Sequence, residues 1–227
     1  MDPKELAYFR HSLKDWGRNH FRAFPWRSTN DPYMILMAEL MLHRTKASQV
    51  VRVYERVLAR YPDIKSLAHA ENMELHRLLF PLGLHWRTNL IPDMAREILH
   101  RFGGNIPQHK TDLLSLAGIS EYIASSVRCF AWNITEPLLD TNTVRVVARL
   151  LNLKARDSSR RNSQFKDIVS QLVDPIEPRV YNYALLDLAD EVCTKRSVPK
   201  CRVCPVSEFC LSRSSYEKLL ISGVVRE

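Results

Sequence analysis

Hydrophobic and polar positions along this chain fall into helical segments. The opening "MDPKELAYFRHSLKDWGRNHF" reads as an amphipathic, charged helix. In "NDPYMILMAELMLHRT", Asp31 supplies an N-cap and Pro32 takes the first helical position, a pairing that pre-sets a helix start. From Met34 to Leu42 every residue is apolar except Glu39, so this helix is hydrophobic nearly all round. Farther on, "TDLLSLAGISEYIASSVRCFAW" predicts a helix capped by Thr111, a break at Gly118 and a second helix from about Glu121. "PLLDTNTVRV" puts Asp140 where an N-cap belongs, ahead of another helical run. No repeat of fixed period and no low-complexity tract is present.

Composition sharpens that picture. The 227 residues are 45% hydrophobic, enough for a real core, and contain only six glycines, fewer than sandwiches or doubly wound sheets use in their turns. An all-α fold is expected. Lys plus Arg exceeds Asp plus Glu by 33 − 25 = 8, and the pI is near 9.4. A surface that neutralises phosphate would produce this balance, as would a merely basic soluble protein. The N-terminal stretch has no secretory apolar region or Arg/Ser-rich leader, and no apolar span reaches membrane length. The expectation is a soluble intracellular monomer with no membrane partner, cytoplasmic in a prokaryote or nuclear in a eukaryote.

Four of the five cysteines fall in "CTKRSVPKCRVCPVSEFC" as Cys193, Cys201, Cys204 and Cys210, with the spacing C-x7-C-x2-C-x5-C. In a reducing compartment, clustered thiolates suit one tetrahedral zinc or one iron–sulfur cube better than disulfides. Zinc more often uses two separated CxxC pairs. A single asymmetric loop bent by Pro199 and Pro205 favours [4Fe–4S]. Lys195, Arg196, Lys200 and Arg202 in that loop read either as phosphate contacts or as solvated charge. Cys129, in "SSVRCFAW", reads as a small buried apolar residue.

Glu39 is the anomaly of the apolar helix. Desolvation there would raise its pKa and suit it to general-acid work; the alternatives are a pair with a buried Arg or a narrow polar stripe. Trp26 and Tyr33 near the helix entrance read as core aromatics or as walls for a flat ligand. His43 and Arg44, where the apolar run ends, read as groove contacts or as a solvated helix end. The glycine turn at Gly118 would aim backbone N–H groups of the second helix, beginning around Ser120, at a phosphate.

The buried Glu, the glycine hairpin, the carboxylate 22 residues beyond Gly118 and the cysteine loop together resemble the helix-hairpin-helix/GPD DNA glycosylases, the endonuclease III/MutY family. The matching order of motifs covers nearly the whole chain. Within the family, "FPWRSTNDPYMILMAELMLHRTKASQV", "LGLHWRTNLI", "LAGISEYIASSV" and "LLDTNTVRVVAR" look most like thymine-DNA mismatch glycosylases of the Mig type. The resemblance implies a two-lobed all-α fold with a C-terminal iron–sulfur cluster loop (193–210). One lobe would be a six-helix barrel over 28–139, the other 1–27 plus 140–227, with the active site in the cleft between them. It implies double-stranded DNA with a mismatched or damaged base as partner, and hydrolysis of the N-glycosidic bond of a flipped T or U opposite G.

Carried over residue by residue, Asp140 is the essential carboxylate, Glu39 a second one serving base or water, and Leu84 an intercalating wedge. Arg44 and His43 would fill the vacated stack or contact the widowed guanine, and Gly118 and Ser120 would clamp the backbone. Tyr122 stands where strand-cleaving relatives have a lysine, which implies a monofunctional enzyme with weak or no lyase activity. Several positions depart from the family pattern. Ala117 and Ser120 replace the proline and second glycine of L-P-G-[VI]-G, the first cysteine gap is one residue longer than the familiar six, "HRT" replaces Gln-Gln-Thr, and Thr141 replaces the Gly that follows the MutY aspartate. The chain stops soon after the cysteine loop, so the domain with which MutY reads 8-oxoguanine is expected to be absent. A MutY-like adenine glycosylase, acting on A opposite G or 8-oxoguanine, is the nearest alternative. A non-catalytic DNA-damage-binding module is the alternative of another class.

Overall fold

The computed structural model describes residues 1–42, 45–83, 89–195 and 197–216. Among the described residues the chain is all-helical, with no strand. The α-helices are α1 (Pro3–His20), α2 (Pro32–Leu42), α3 (Ala47–Arg60), α4 (Ile64–Ala68), α5 (Asn72–Leu79), α6 (Leu90–Phe102), α7 (Lys110–Ser115), α8 (Glu121–Trp132), α9 (Thr141–Leu150), α10 (Ser163–Leu172) and α11 (Pro178–Glu191). No helix is long and apolar enough to cross a membrane. Two compact units form, one from Ala23–Ile134 and the other from Met1–Arg22 with Thr135–Glu227. Their boundaries fall a few residues N-terminal of the divisions at 27/28 and 139/140.

In the Ala23–Ile134 unit, α2 is the central helix. The Asp31 carboxylate accepts the N–H groups of Tyr33 and Met34 at 2.8 and 3.1 Å, and Pro32 follows as the first helical residue. All but three of its eleven residues are buried, and it packs against α3 and α8. Helices α3 and α6 each bury mainly one stripe. On α3 it is Val50, Val53, Tyr54 and Val57, and on α6 Ile91, Met94, Ala95 and Ile98, both at the i, i+3, i+4, i+7 spacing of an amphipathic helix. Trp26 and Tyr33 are core residues: both are buried, and the Tyr33 hydroxyl donates to the Tyr61 carbonyl at 2.6 Å. Cys129 is fully buried.

In the other unit, α1 lies along α11, and α11 packs on α9. Phe9 and Leu13 of α1, Val144 and Val147 of α9, Phe165 and Val169 of α10, and Tyr181 and Leu188 of α11 share one core, each buried aliphatic side chain contributing about 1.5–3 kcal/mol. The approach of α1 to α11 depends on Gly17, because a Cβ there would lie 2.4 Å from Ala184 Cβ. Ion pairs flank this seam. Arg22 Nε holds the fully buried Asp187 at 2.5 Å, and Lys14 Nζ meets Asp174 and Glu177, each at 2.7 Å.

Burial alone would push the Asp174 carboxyl up. The Lys14 ammonium and the N–H groups of Glu177 and Ile176 outweigh it and hold the group below the usual range. A carboxyl depressed on folding adds stability above its unfolded pKa and loses it as the pH falls through its folded pKa. Asp174→Asn keeps the turn-forming oxygen but loses the charge, and is expected to destabilise the protein by about 1–3 kcal/mol at pH 7. Below about pH 4 the wild-type advantage should shrink. Urea unfolding of both proteins at pH 7 and pH 3 checks this, and a gap unchanged by pH would disprove it.

Candidate active site and cysteine-lined cavity

Asp140 is the N-cap of α9 and is half-buried. Its Oδ1 accepts the N–H groups of Asn142 and Thr143 at 2.9 and 2.7 Å, while Oδ2 accepts the Asn142 side-chain amide at 2.8 Å. Oδ1 is thus committed to the helix start, and one lone pair of Oδ2 is left unclaimed by these bonds. Asn142 is in turn held by Arg145, whose Nη1 donates to Asn142 Oδ1 at 3.0 Å. The Arg145 guanidinium also donates to the carbonyls of Cys193 and Ala189 at 2.9 and 2.7 Å. A polar chain therefore runs from Asp140 through Asn142 and Arg145 to the first cysteine. Sequence reasoning missed Asn142, Arg145 and Arg149. The signal was present in "DTNTVRVVAR", where Arg145 and Arg149 follow Thr141 at steps of four and share its helix face.

Arg149 extends that face. Its Nη1 reaches the Thr194 carbonyl at 2.8 Å and Cys193 Sγ at 3.3 Å, and its guanidinium lies 5.0 Å from the Tyr216 ring centroid. The far end of the cysteine loop returns the contact, with Leu211 and Ser212 N–H capping the Leu150 and Arg149 carbonyls at 2.9 and 3.3 Å. Cys193, Cys201, Cys204 and Cys210 form no disulfide and line one small, largely apolar cavity with Val192 and Pro199. Among the described residues, no three metal-ligating side chains converge on a single ion position. Burial pushes the Cys204 thiol up to about 12, with the neighbouring cysteines adding to the effect, and raises Cys210 as well. As free thiols these two keep their protons, which a bound metal would displace. Four sulfur donors around an apolar cavity are a chemically suitable set for an iron–sulfur group.

In the other unit, Glu39 is buried, with 6% of its surface exposed, among the apolar side chains of α2. The hairpin consists of α7, a turn and α8. The first helix starts at Lys110 with His109 as its N-cap, so the expectation that Thr111 caps it is corrected; Thr111 already lies within the first turn. Gly118 has φ +81°, a conformation that a side chain would strain. Ser120, by contrast, has φ −89° and caps α8, its hydroxyl accepting the Ile123 N–H at 3.3 Å. Replacing the hairpin's second glycine with serine therefore needs no left-handed backbone and supplies a helix cap. Lys110 bridges the two helices, meeting Ser125 Oγ and Glu121 Oε1, each at 2.9 Å. Tyr122 is half-buried at the second position of α8. His43, Arg44 and Leu84 lie outside the described residues.

An all-helical chain carrying this hairpin and capped aspartate matches a family profile. Residues 37–171 fit the HhH-GPD superfamily of base excision DNA repair proteins, and the chain belongs to that family. It is 39% identical to a thymine-DNA glycosylase of Aeropyrum pernix over 93% of this chain and 96% of that one. A thymine/uracil-DNA glycosylase of Pyrobaculum aerophilum is 36% identical over 90% of this chain and 92% of its own length. The solved structure of a thermostable thymine-DNA glycosylase superposes with a TM-score of 0.86 at 26% identity, covering 93% of this chain and 98% of that one.

Proposed function

We propose that this protein is a monofunctional DNA glycosylase that releases T or U opposite G, with Asp140 as its essential carboxylate. The observation that carries the reading is the Asp140 geometry. Three hydrogen bonds fix the carboxylate yet leave one Oδ2 lone pair for chemistry. Breaking an N-glycosidic bond develops positive charge on the sugar, which an ionised carboxylate stabilises directly or through an oriented water. The base has to leave the stack before any protein group reaches its glycosidic bond. Glu39, buried in an apolar helix, suits the other end of the reaction, delivering a proton or hydrogen bond to the departing base or ordering the water. Strand cleavage through a Schiff base needs an amine where Tyr122 stands, so the product is an abasic site. The thymine- and uracil-directed names of the two relatives support the choice of base.

The four cysteines would hold a [4Fe–4S] cluster. Four cysteines around one cavity, in a single asymmetric loop bent by Pro199 and Pro205, suit a cube with one thiolate per corner better than the two separated CxxC pairs that zinc more often uses. When bound, the cluster would supply a structural centre for the loop. Arg145 and Arg149 carry that order to α9 through the Cys193 and Thr194 carbonyls.

Single-turnover base release from end-labelled duplexes carrying T:G, U:G, A:8-oxoG and A:G, with and without alkali, tests the proposal. Release of T and U opposite G, visible as strand breaks only after alkali, is expected. Adenine release would reassign the base specificity, breaks without alkali would overturn the Tyr122 argument, and no release from any duplex would overturn the enzymatic reading.

A further inference from the structure

A pocket of about 430 Å³ opens along α9 beside the cysteine loop, and none of the reactions above uses it. It begins at Thr141, next to Asp140, and follows one face of α9 to Asn152. Asn152 has φ +50°, and the Leu153 N–H closes back on the Ala148 carbonyl at 2.8 Å. This helix-ending turn leads the chain into the segment that adds Arg156 and Arg160 to the lining. Arg145, Arg149 and Lys195 complete a set of five cations, and the lining contains no Asp or Glu among the described residues. The two inner arginines direct their N–H groups to the cysteine loop. Arg156, Arg160 and Lys195 are exposed to solvent. A concave site with this one-sided charge concentrates anions, and planar guanidinium forks match phosphate oxygens.

We infer that this pocket is a second DNA contact, binding backbone phosphates of the duplex away from the extruded base through Arg156, Arg160 and Lys195. The inference rests on the DNA-binding part of the function proposed above. From Thr141 to Leu150, α9 runs about 14 Å, about four base-pair rises, so a duplex that presents a nucleotide to Asp140 keeps flanking phosphates within reach of the pocket. The contact carries no base information; it sets register and adds salt-dependent affinity.

The test is fluorescence anisotropy of an undamaged duplex against salt concentration, comparing wild type with Arg156→Ala/Arg160→Ala and Arg156→Lys/Arg160→Lys. The alanine pair is expected to bind about 3- to 30-fold more weakly at low salt and to reduce the log–log salt slope by about 1 to 2. The lysine pair should recover the slope. An unchanged slope in the alanine pair would overturn the inference, as would a loss that lysine does not restore. Thermal stabilisation of wild type by pyrophosphate, lost in the alanine pair while the DNA slope stays unchanged, would assign the pocket to a small free anion and overturn the DNA assignment. Because the duplex carries no lesion, the outcome is independent of base release: a chain that excises nothing can still show the slope change, and an active glycosylase can fail to show it.

Discussion

Asp140→Asn is expected to reduce single-turnover release of T from a T:G duplex by at least about a thousandfold, the scale on which aligned electrostatic stabilisation of a transition state is lost. Binding of the same duplex should remain within a few-fold of wild type. The local structure explains why the two effects separate. Asp140 Oδ1 caps α9 through two backbone N–H groups, and asparagine is as good an N-cap as aspartate. The substitution keeps that oxygen, so thermal stability should fall by less than about 1 kcal/mol. It removes the negative charge from Oδ2 and sets an amide against Asn142 Nδ2, which then loses its acceptor. Measured rates within tenfold of wild type would exclude Asp140 as the carboxylate acting on the sugar. Equal losses of binding and rate would mean that the residue holds DNA and does no chemistry. A pure damage-binding module would show no change in either.

Much of this was legible in the residues, for identifiable reasons. Asp31–Pro32 at the start of α2 and the apolar run behind it are local signals, and local signals need only the helix's own geometry. Asp140 was readable as a cap for the same reason. The start of α7 was misplaced because its cap, His109, makes no side-chain bond to the helix and so leaves no cap signature, whereas Thr111 mimics one. Ser120 could not be judged from the sequence, since serine fits an N-cap but not a left-handed turn, and only the backbone angle decides. The Asp140–Asn142–Arg145 chain was hidden for a deeper reason. Arg145 finds its partners at Cys193 and Ala189, more than forty residues away, and carbonyl oxygens leave no trace in side-chain identity. Periodicity locates a face of α9 but not what that face touches.

Those long-range bonds tie the cysteine loop to the residues that hold Asp140, and Cys201→Ala is the substitution expected to loosen that tie. Cys201 is buried beside the shared cavity, and if the four cysteines hold the proposed cluster, losing one thiolate should cost the protein the brown colour and most of the iron that the cluster would give it. Besides any bound group, the described residues of this loop are held by Cys193 N–H on the Leu188 carbonyl, Lys200 N–H on the Val192 carbonyl, the Leu211 and Ser212 caps on α9, and the packing of Val206 and Phe209 against the core. Loosening the loop withdraws the carbonyls that anchor Arg145 and Arg149, then the hold of Arg145 on Asn142, and then that of Asn142 on Asp140. A thermal midpoint lower by about 10 °C or more is expected, corresponding to a loss of several kcal/mol in a chain of this size. Base release should fall with it. Cys129→Ala is the control, since it also removes a buried thiol but lies outside the loop; it should keep its colour and most of its rate. A Cys201→Ala protein that stays brown and iron-loaded would show that the four cysteines do not act together, and a colourless wild type carrying stoichiometric zinc would replace the cube with a single ion. If the variant loses its cluster but keeps wild-type base release, the polar chain along α9 supports Asp140 without help from the loop, and catalytic support would end at Asn142.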